Sequence, residues 1–369
     1  MTFRRRLQRT IGATASAGFT RLLAFVAVVT AVALLAWWTG LTGVLGTPLY
    51  NGVAVVLLAI GLFASTSGIN LDAARRDAPI VLLAVTVGVL LKTAIIAGVM
   101  YAVFRRPESV VLGVAVAQID PLSVAALRRE PRLSPRAQDI LAAWSSFDDP
   151  ITALMTVYLA AWLGTGPSVF GTGSALPQLA LNLGLAGLAY GLWKLTGGRT
   201  QGKAPPWRIP AQRLLTIAVA VAAVSQFLML ALATAGLFLR PRIDWLLEKA
   251  TAIAFWLAAC AIGIGLGAGA HIVEGVVLGL AAYCSQILVS IVITRRLPRD
   301  DRVGLALGQQ NGITAILLAL LLEPQFPGTI AVVGPAVVVV NLLHVIANAV
   351  WNTVRRPGPG SPARLELAS

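Results

Sequence analysis

The sequence predicts an all-helical, polytopic membrane protein with about twelve transmembrane helices, arranged as an inverted-topology repeat with two crossed broken helices. Three observations lead to this fold class. The 369-residue chain is 57% hydrophobic and 12% charged, with a mean hydropathy of +0.81, whereas soluble domains carry about 25% charged residues. Apolar runs long enough to span a bilayer recur along the whole chain. Two polar, helix-breaking motifs lie inside such runs, at equivalent positions of two similar segments.

The number of crossings follows from the distribution of arginine and lysine. Apolar windows alone mark about eleven segments. Cytoplasmic loops of membrane proteins usually carry an excess of lysine and arginine. With eleven segments and a cytoplasmic N-terminus, the basic clusters of the first half of the chain follow this rule, but those of the second half would lie outside the cell. One additional short crossing within Gln212–Arg240 would place the basic clusters of the second half in the cytoplasm as well. We therefore predict about twelve crossings of the cell membrane with both termini cytoplasmic, and the two helices of that segment must be short and buried among others.

The remaining composition excludes several classes of protein. The formal net charge of +14 does not indicate nucleic-acid binding, because the basic residues form short clusters between apolar segments instead of one basic face. Cys260, Cys284, His271 and His344 are too few and too scattered for a metal cluster. The motifs contain no nucleophile–base pair. We expect neither a cofactor nor an enzymatic activity.

An internal repeat relates residues 105–123 to residues 296–314. An odd number of crossings would separate the two copies, so they would be inverted relative to each other, and such transporters bind substrate near the midplane between the repeats. The matched pairs, all 191 positions apart, are Pro107 and Pro298, Gly113 and Gly304, Gln118 and Gln309, and Asp120 and Asn311.

Both copies contain a predicted helix break. Proline removes an intrahelical hydrogen bond and glycine weakens a helix, so both runs should unwind at these motifs, inside the protein or beside a cavity. Asp120 either compensates the positive ends of the resulting half-helices or ligates an ion directly. The first motif is Gln118, Ile119, Asp120 and Pro121, and the second is Gln309, Gln310, Asn311 and Gly312.

A pair of adjacent carboxylates, Asp148 and Asp149, lies in an otherwise uncharged apolar stretch of roughly 25 residues. Each carboxylate costs about 2.5–3.5 kcal/mol at the centre of a spanning helix. A chain keeps such a pair mainly to hold a cation, a proton, or each in turn. We interpret both as binding a monovalent cation and a proton, with the hydroxyl of Ser145, one turn before Asp149, as a further oxygen ligand.

These motifs resemble those of the monovalent cation/proton antiporters (sodium/proton exchangers). That family carries Thr-Asp-Pro on a broken helix and Asn-Asp or Asp-Asp on the next, as in Ile119–Val124 followed by Ser145–Pro150 here. The resemblance covers residues 49–351 or so. It implies that Asp149 carries ion and proton, and that Asp148 is the variable residue associated with electrogenic members. The chain departs from the family at Ile119, which lacks the threonine hydroxyl, and at Trp144, where the family has glutamate.

A lysine also departs from the family pattern. Many electrogenic members carry a lysine in the third helix from the end, where this chain has Cys284–Gln286. Lys92 lies instead in the middle of the third predicted helix, and the separation of 191 maps it onto Tyr283. We predict that Lys92 pairs with Asp148. The alternative is that its ammonium snorkels to the membrane interface.

The predicted function is exchange of a monovalent cation, Na⁺ first and Li⁺ or K⁺ next, for protons by alternating access at Asp148 and Asp149. We expect a homodimer in the lipid bilayer without a nucleic-acid partner. A cation channel, or an anion or organic-acid carrier with the same inverted-repeat fold, is the alternative. The predicted divisions are a cytoplasmic N-terminus (1–19), a first repeat (20–163), a linker helix and cytoplasmic loop (164–210), a second repeat (211–352) and a short cytoplasmic tail (353–369).

Overall fold

The computed structural model describes residues 2–69, 71–106, 108–120, 133–163, 175–196, 207–239 and 244–354. Every regular element in these ranges is helical. Seven spans among them are long and apolar enough to cross a membrane. The predicted class of an all-helical, multi-pass membrane protein is therefore confirmed.

The helices are numbered in chain order. They are α1 (Thr2–Thr39), α2 (Pro48–Ser67), α3 (Leu71–Arg76), α4 (Ala78–Leu83), α5 (Val89–Phe104), α6 (Glu108–Ala115), α7 (Pro135–Leu163), α8 (Ala175–Leu195), α9 (Arg208–Gln226), α10 (Met229–Gly236), α11 (Asp244–Leu266), α12 (Ile272–Ile293), α13 (Arg299–Ala306), α14 (Ile313–Leu322) and α15 (Thr329–Val354). A 3₁₀ turn (Leu41–Val44) follows α1, and a π-helical turn (Ala84–Gly88) joins α4 to α5.

Two helices, α9 and α10, occupy the region of Gln212–Arg240 in which the sequence predicts an additional crossing. The number of crossings itself stays a prediction. Helix α9 ends before Phe227, which adopts a left-handed conformation with φ of 54°. The short helix α10 follows, and most of its side chains are buried. The side chain of Asn182 on α8 accepts a hydrogen bond of 2.9 Å from Ala231 N, so one amide at the start of this helix is satisfied inside the protein.

Both predicted breaks are present. Helix α6 ends at Ala115, and residues 116–120 continue without helical structure. In the second copy, α13 ends at Ala306 and α14 begins at Ile313. All ten side chains of α14 are buried, so this half-helix is surrounded by protein, as unwound backbone at membrane depth requires. Pro121 of the first motif lies outside the described residues.

A π-helical turn, Ala84–Gly88, precedes Lys92 along the chain. Gly88, at the end of this turn, packs against Ile293 and Val289 of α12. The π turn adds a residue to the helical ladder and so changes the direction in which the following side chains point; such turns are frequent at functional sites. Lys92 lies one turn beyond it, in α5.

Single-cysteine labelling from each side of the membrane tests the predicted orientation. Cys260→Ala and Cys284→Ser provide the background, because Cys284 is exposed and Cys260 partly so. We expect Arg299→Cys to react with an impermeant maleimide only from the cytoplasm and Gln325→Cys only from outside. The opposite pattern would mean that α10 does not cross the membrane and that the two repeats are not inverted.

Candidate ion-binding site

The two helix breaks are joined to each other by hydrogen bonds. This arrangement satisfies polar groups that the breaks remove from their helices, inside the protein and away from water. It also fixes the two unwound segments side by side. The bonds run from Asp120 N to Gln310 O at 2.9 Å, from Gln309 Nε2 to Gln118 O at 2.8 Å, and from Asn311 Nδ2 to Val116 O at 3.2 Å.

The Asp120 carboxylate lies against the backbone at the start of α14. A Cβ atom on Gly312, the residue before this helix, would overlap both carboxylate oxygens of Asp120. Glycine is therefore required for this close approach. The unpaired N–H groups at a helix N-terminus carry partial positive charge and favour a nearby anion. This placement agrees with the proposal that Asp120 balances a half-helix end.

Helix α7 carries the acidic pair across the middle of the protein. Asp148 and Asp149 are 0% and 1% exposed. Pro150 follows them within the helix and cannot donate a hydrogen bond to the carbonyl of Ser146, four residues earlier. Ser65 of α2 approaches that carbonyl instead, at 3.4 Å from its Oγ. The proline thus opens a backbone acceptor next to the carboxylates.

Lys92 and Asp148 form a buried ion pair. Lys92 Nζ lies 2.7 Å from Asp148 Oδ2, and both side chains are 0% exposed. Ile119 N donates to the same oxygen at 3.0 Å. The ammonium also lies 5.6 Å from the ring centroid of Trp144, within the range of a cation–π interaction. Lys92 is therefore enclosed by protein and does not extend to the protein surface.

Asp149 has a different environment from its neighbour. Thr314 Oγ1 of α14 donates to Asp149 Oδ2 at 2.8 Å. The other oxygen, Oδ1, is buried and accepts no hydrogen bond from the described residues. Oδ1 of Asp148 is likewise buried without a hydrogen bond from the described residues. The two carboxylates differ in charge compensation, because a lysine neutralises Asp148, whereas Asp149 is bonded to a neutral hydroxyl and its negative charge could attract a cation or a proton.

Five of the predicted site residues make no side-chain hydrogen bond to the carboxylates in the described structure: Gln118, Ser145, Gln309, Gln310 and Asn311. The Ser145 hydroxyl donates to Ala142 O at 3.2 Å, within its own helix. Gln309 Nε2 bonds within its motif, to Asn311 Oδ1 at 2.7 Å, as well as across to the other break. Gln310 turns toward α15, where its Nε2 lies 3.0 Å from His344 Nε2. These amides hold the crossing together.

Sequence reasoning missed two residues near the breaks. Thr314 contacts Asp149, and the internal repeat could have indicated it, because Thr314 is the counterpart of Ser123. His344 Nδ1 lies 2.8 Å from Leu307 O, the carbonyl that follows α13, and thereby caps a half-helix end. An isolated histidine in an apolar helix gives no signal for that contact.

The N-terminal end of α7 is anchored to two other parts of the protein. Arg136 Nη2 lies 2.6 Å from Asp77 Oδ1, next to α4. Ser134 caps α7 through Ala137 N and donates its hydroxyl to Asp301 Oδ2 of α13 at 2.8 Å. Among the described residues, no group of three or more His, Cys, Asp and Glu side chains could hold a resident metal ion.

The protein is similar to known proteins in its structure but not in its sequence. No protein-family model matches the sequence, and no curated protein sequence matches it. The structure is similar to that of the sodium proton antiporter MjNhaP1 from Methanocaldococcus jannaschii at pH 8, with a TM-score of 0.67 and 15% identity over 95% of this chain and 100% of that one. It is also similar to the electron-microscopy map of MjNhaP1, with a TM-score of 0.53 and 17% identity over 84% of each chain. The predicted resemblance to sodium/proton antiporters is confirmed at the level of the fold.

Proposed function

We propose that this protein exchanges a monovalent cation for protons and that Asp149 binds each of them in turn. The observation that carries the proposal is the contrast within the acidic pair: Asp148 is paired with the ammonium of Lys92, whereas the hydrogen bond that Asp149 accepts in the described structure comes from the neutral hydroxyl of Thr314. The similarity to the MjNhaP1 antiporter supports a transport function with sodium and protons as the first candidates.

The exchange follows from competition for the same oxygens. Monovalent and divalent hard cations prefer oxygen ligands, and the Asp149 carboxylate and the Thr314 hydroxyl are available together. A proton on the carboxylate removes the negative charge that attracts the cation. Each ligand therefore leaves when the other binds, and this coupling requires only one carboxylate that both can occupy.

Alternating access would move the crossing of the two breaks together with α7. Hydrogen bonds join the two breaks to each other, and Ile119 N binds the Asp148 carboxylate on α7. This unit would move against the remaining helices, as in other transporters built from inverted repeats. We retain the proposals of a homodimer, of two repeats at 20–163 and 211–352, and of both termini in the cytoplasm.

The alternative functions have less support. An anion or organic-acid carrier needs a positive centre, but three buried carboxylates (Asp120, Asp148 and Asp149) face one lysine here. A cation channel usually selects ions by rings of carbonyls or charges in a symmetric assembly. No contact in the described part of the chain favours either reading over exchange.

Proteoliposomes with an imposed pH gradient test the proposal. We expect added Na⁺, Li⁺ or K⁺ to collapse the gradient with an order of rates that identifies the substrate, and choline to have no effect. Protein-free liposomes are the control. Cation flux without proton movement, driven by membrane potential alone, would replace the antiporter by a channel.

A further inference from the structure

We propose that Thr314 is a ligand of the transported cation and that its hydroxyl determines the affinity for cations relative to protons. This inference rests on the proposed exchange at Asp149. Thr314 belongs to the second repeat, whereas Asp149 belongs to the first. The ion would therefore bind between oxygens that the two halves of the protein supply separately.

The position of Thr314 in the fold aims its hydroxyl at the carboxylate. It is the second residue of α14, and its side chain is 1% exposed. Because every side chain of α14 is buried, the neighbouring helices fix the direction of this hydroxyl. The first turn of the helix also presents backbone N–H groups with partial positive charge, which stabilise the ionised form of a carboxylate facing them.

A hydroxyl suits all three states of an exchange cycle. It can donate to an ionised carboxylate, as Thr314 does at 2.8 Å, and it can accept from a protonated one. Its oxygen lone pairs can also bind a cation while the proton turns to another acceptor. A side chain that only donates or only accepts could serve one or two of these states.

Other hydroxyls near Asp149 are engaged elsewhere. Ser145 Oγ donates to Ala142 O, and Thr152 Oγ1 lies within 3.0 Å of the backbone oxygens of Asp148 and Asp149. Ile119, in the first break, has no side-chain oxygen. Among these candidates, Thr314 alone donates to the carboxylate of Asp149 in the described structure, so a cation at Asp149 would lie next to its oxygen.

The test compares Thr314→Val, which keeps the shape and removes the hydroxyl, with Thr314→Ser, which keeps the hydroxyl. Thr156→Val is the matched control, because Thr156 is also fully buried. Its hydroxyl donates to Thr152 O, one turn earlier in α7, at 2.8 Å and not to a carboxylate. Two quantities are measured for each variant: the apparent KM for the cation in proteoliposomes, and the rise in melting temperature with cation concentration in detergent.

We expect Thr314→Val to raise the cation KM about tenfold, as loss of one contact to a charged group predicts, with little change in the maximal rate. The cation concentration that stabilises the protein should rise by the same factor, whereas Thr314→Ser and Thr156→Val should resemble the wild type. A wild-type KM in Thr314→Val would overturn the inference. If that variant does not fold, Thr314→Ala replaces it with the same criterion.

The result separates this inference from the proposed function. If the wild-type protein shows no cation-dependent proton movement and no stabilisation by Na⁺, Li⁺ or K⁺, then the exchange itself is wrong. If the wild type exchanges and is stabilised while the Thr314 variants behave identically to it, then Asp149 binds the cation without this hydroxyl. A fall in maximal rate and melting temperature at constant KM would assign Thr314 a structural role and would also overturn the inference.

Discussion

Asp149→Asn is expected to reduce cation/proton exchange to the level of protein-free liposomes while leaving the fold intact. The amide fills the same space and can still accept the hydrogen bond from Thr314. It cannot, however, take up a proton or supply the negative charge that attracts a cation. The loss should therefore appear at every cation concentration, and cation-dependent stabilisation should disappear with it. Rates in proteoliposomes and melting temperatures in detergent measure both effects.

Asp139→Asn is the matched control for this change. Asp139 lies on the same helix, but it is partly exposed near the N-terminal end of that helix, and its Oδ2 lies 3.5 Å from Arg76 Nη2. Exposed ion pairs contribute little, about 0–1 kcal/mol. We expect this variant to exchange normally. Near wild-type exchange in Asp149→Asn would exclude Asp149 as the carrier and would shift the assignment to Asp148 or Asp120.

Lys92→Ala is expected to lower both thermal stability and transport. The substitution leaves Asp148 buried with only the Ile119 amide as a partner. Breaking a buried ion pair by removing one member costs about 3–5 kcal/mol, a large fraction of the stability of a typical domain. Transport should also fall, because we propose that Lys92 leaves Asp148 when a cation or proton reaches the acidic pair, which couples binding to movement.

A double substitution separates the two roles of Lys92. Lys92→Met with Asp148→Asn removes both charges and should restore much of the stability, because neither member is left buried and unpaired. Exchange through Asp149 should remain but become electroneutral. Lys249→Ala is the control, since Lys249 also lies over a tryptophan ring, at 5.0 Å from Trp245, but is exposed. If Lys92→Ala is as stable and active as the wild type, the proposed switch does not exist.

The helix breaks and the buried ion pair could be predicted from the sequence, because both depend on polar residues inside long apolar segments. The breaks at Asp120 and Gly312 were predictable because proline and glycine interrupt long apolar segments, and the extra helix Met229–Gly236 was predictable from the basic clusters around it. A fully apolar environment also leaves a buried lysine few partners other than a buried carboxylate. The structure places Lys92 beside Asp148 accordingly.

The directions of individual hydroxyls and amides were not predictable in the same way. Ser145 has the right spacing to face Asp149, but a serine inside a helix can also bond to a preceding carbonyl, and Ser145 does so. Thr314 reaches Asp149 only because α14 packs against α7, although 165 positions separate the two residues along the chain. Such a contact depends on how the helices pack, which periodicity and composition along one helix do not specify.

The buried pair also has a consequence for how the chain enters the membrane during synthesis. The span that carries Lys92 is the most apolar of the seven long spans in the described part of the chain. This span can therefore insert from the translocon while its lysine has no countercharge. Placing a lysine at the centre of a spanning helix costs about 2.5–3.5 kcal/mol on insertion scales. Asp148 follows only 56 residues later, on a helix that carries three carboxylates. Lys92 would then already lie in the bilayer when α7 enters it. Its positive charge would offset the carboxylates of α7 and so help this helix to insert.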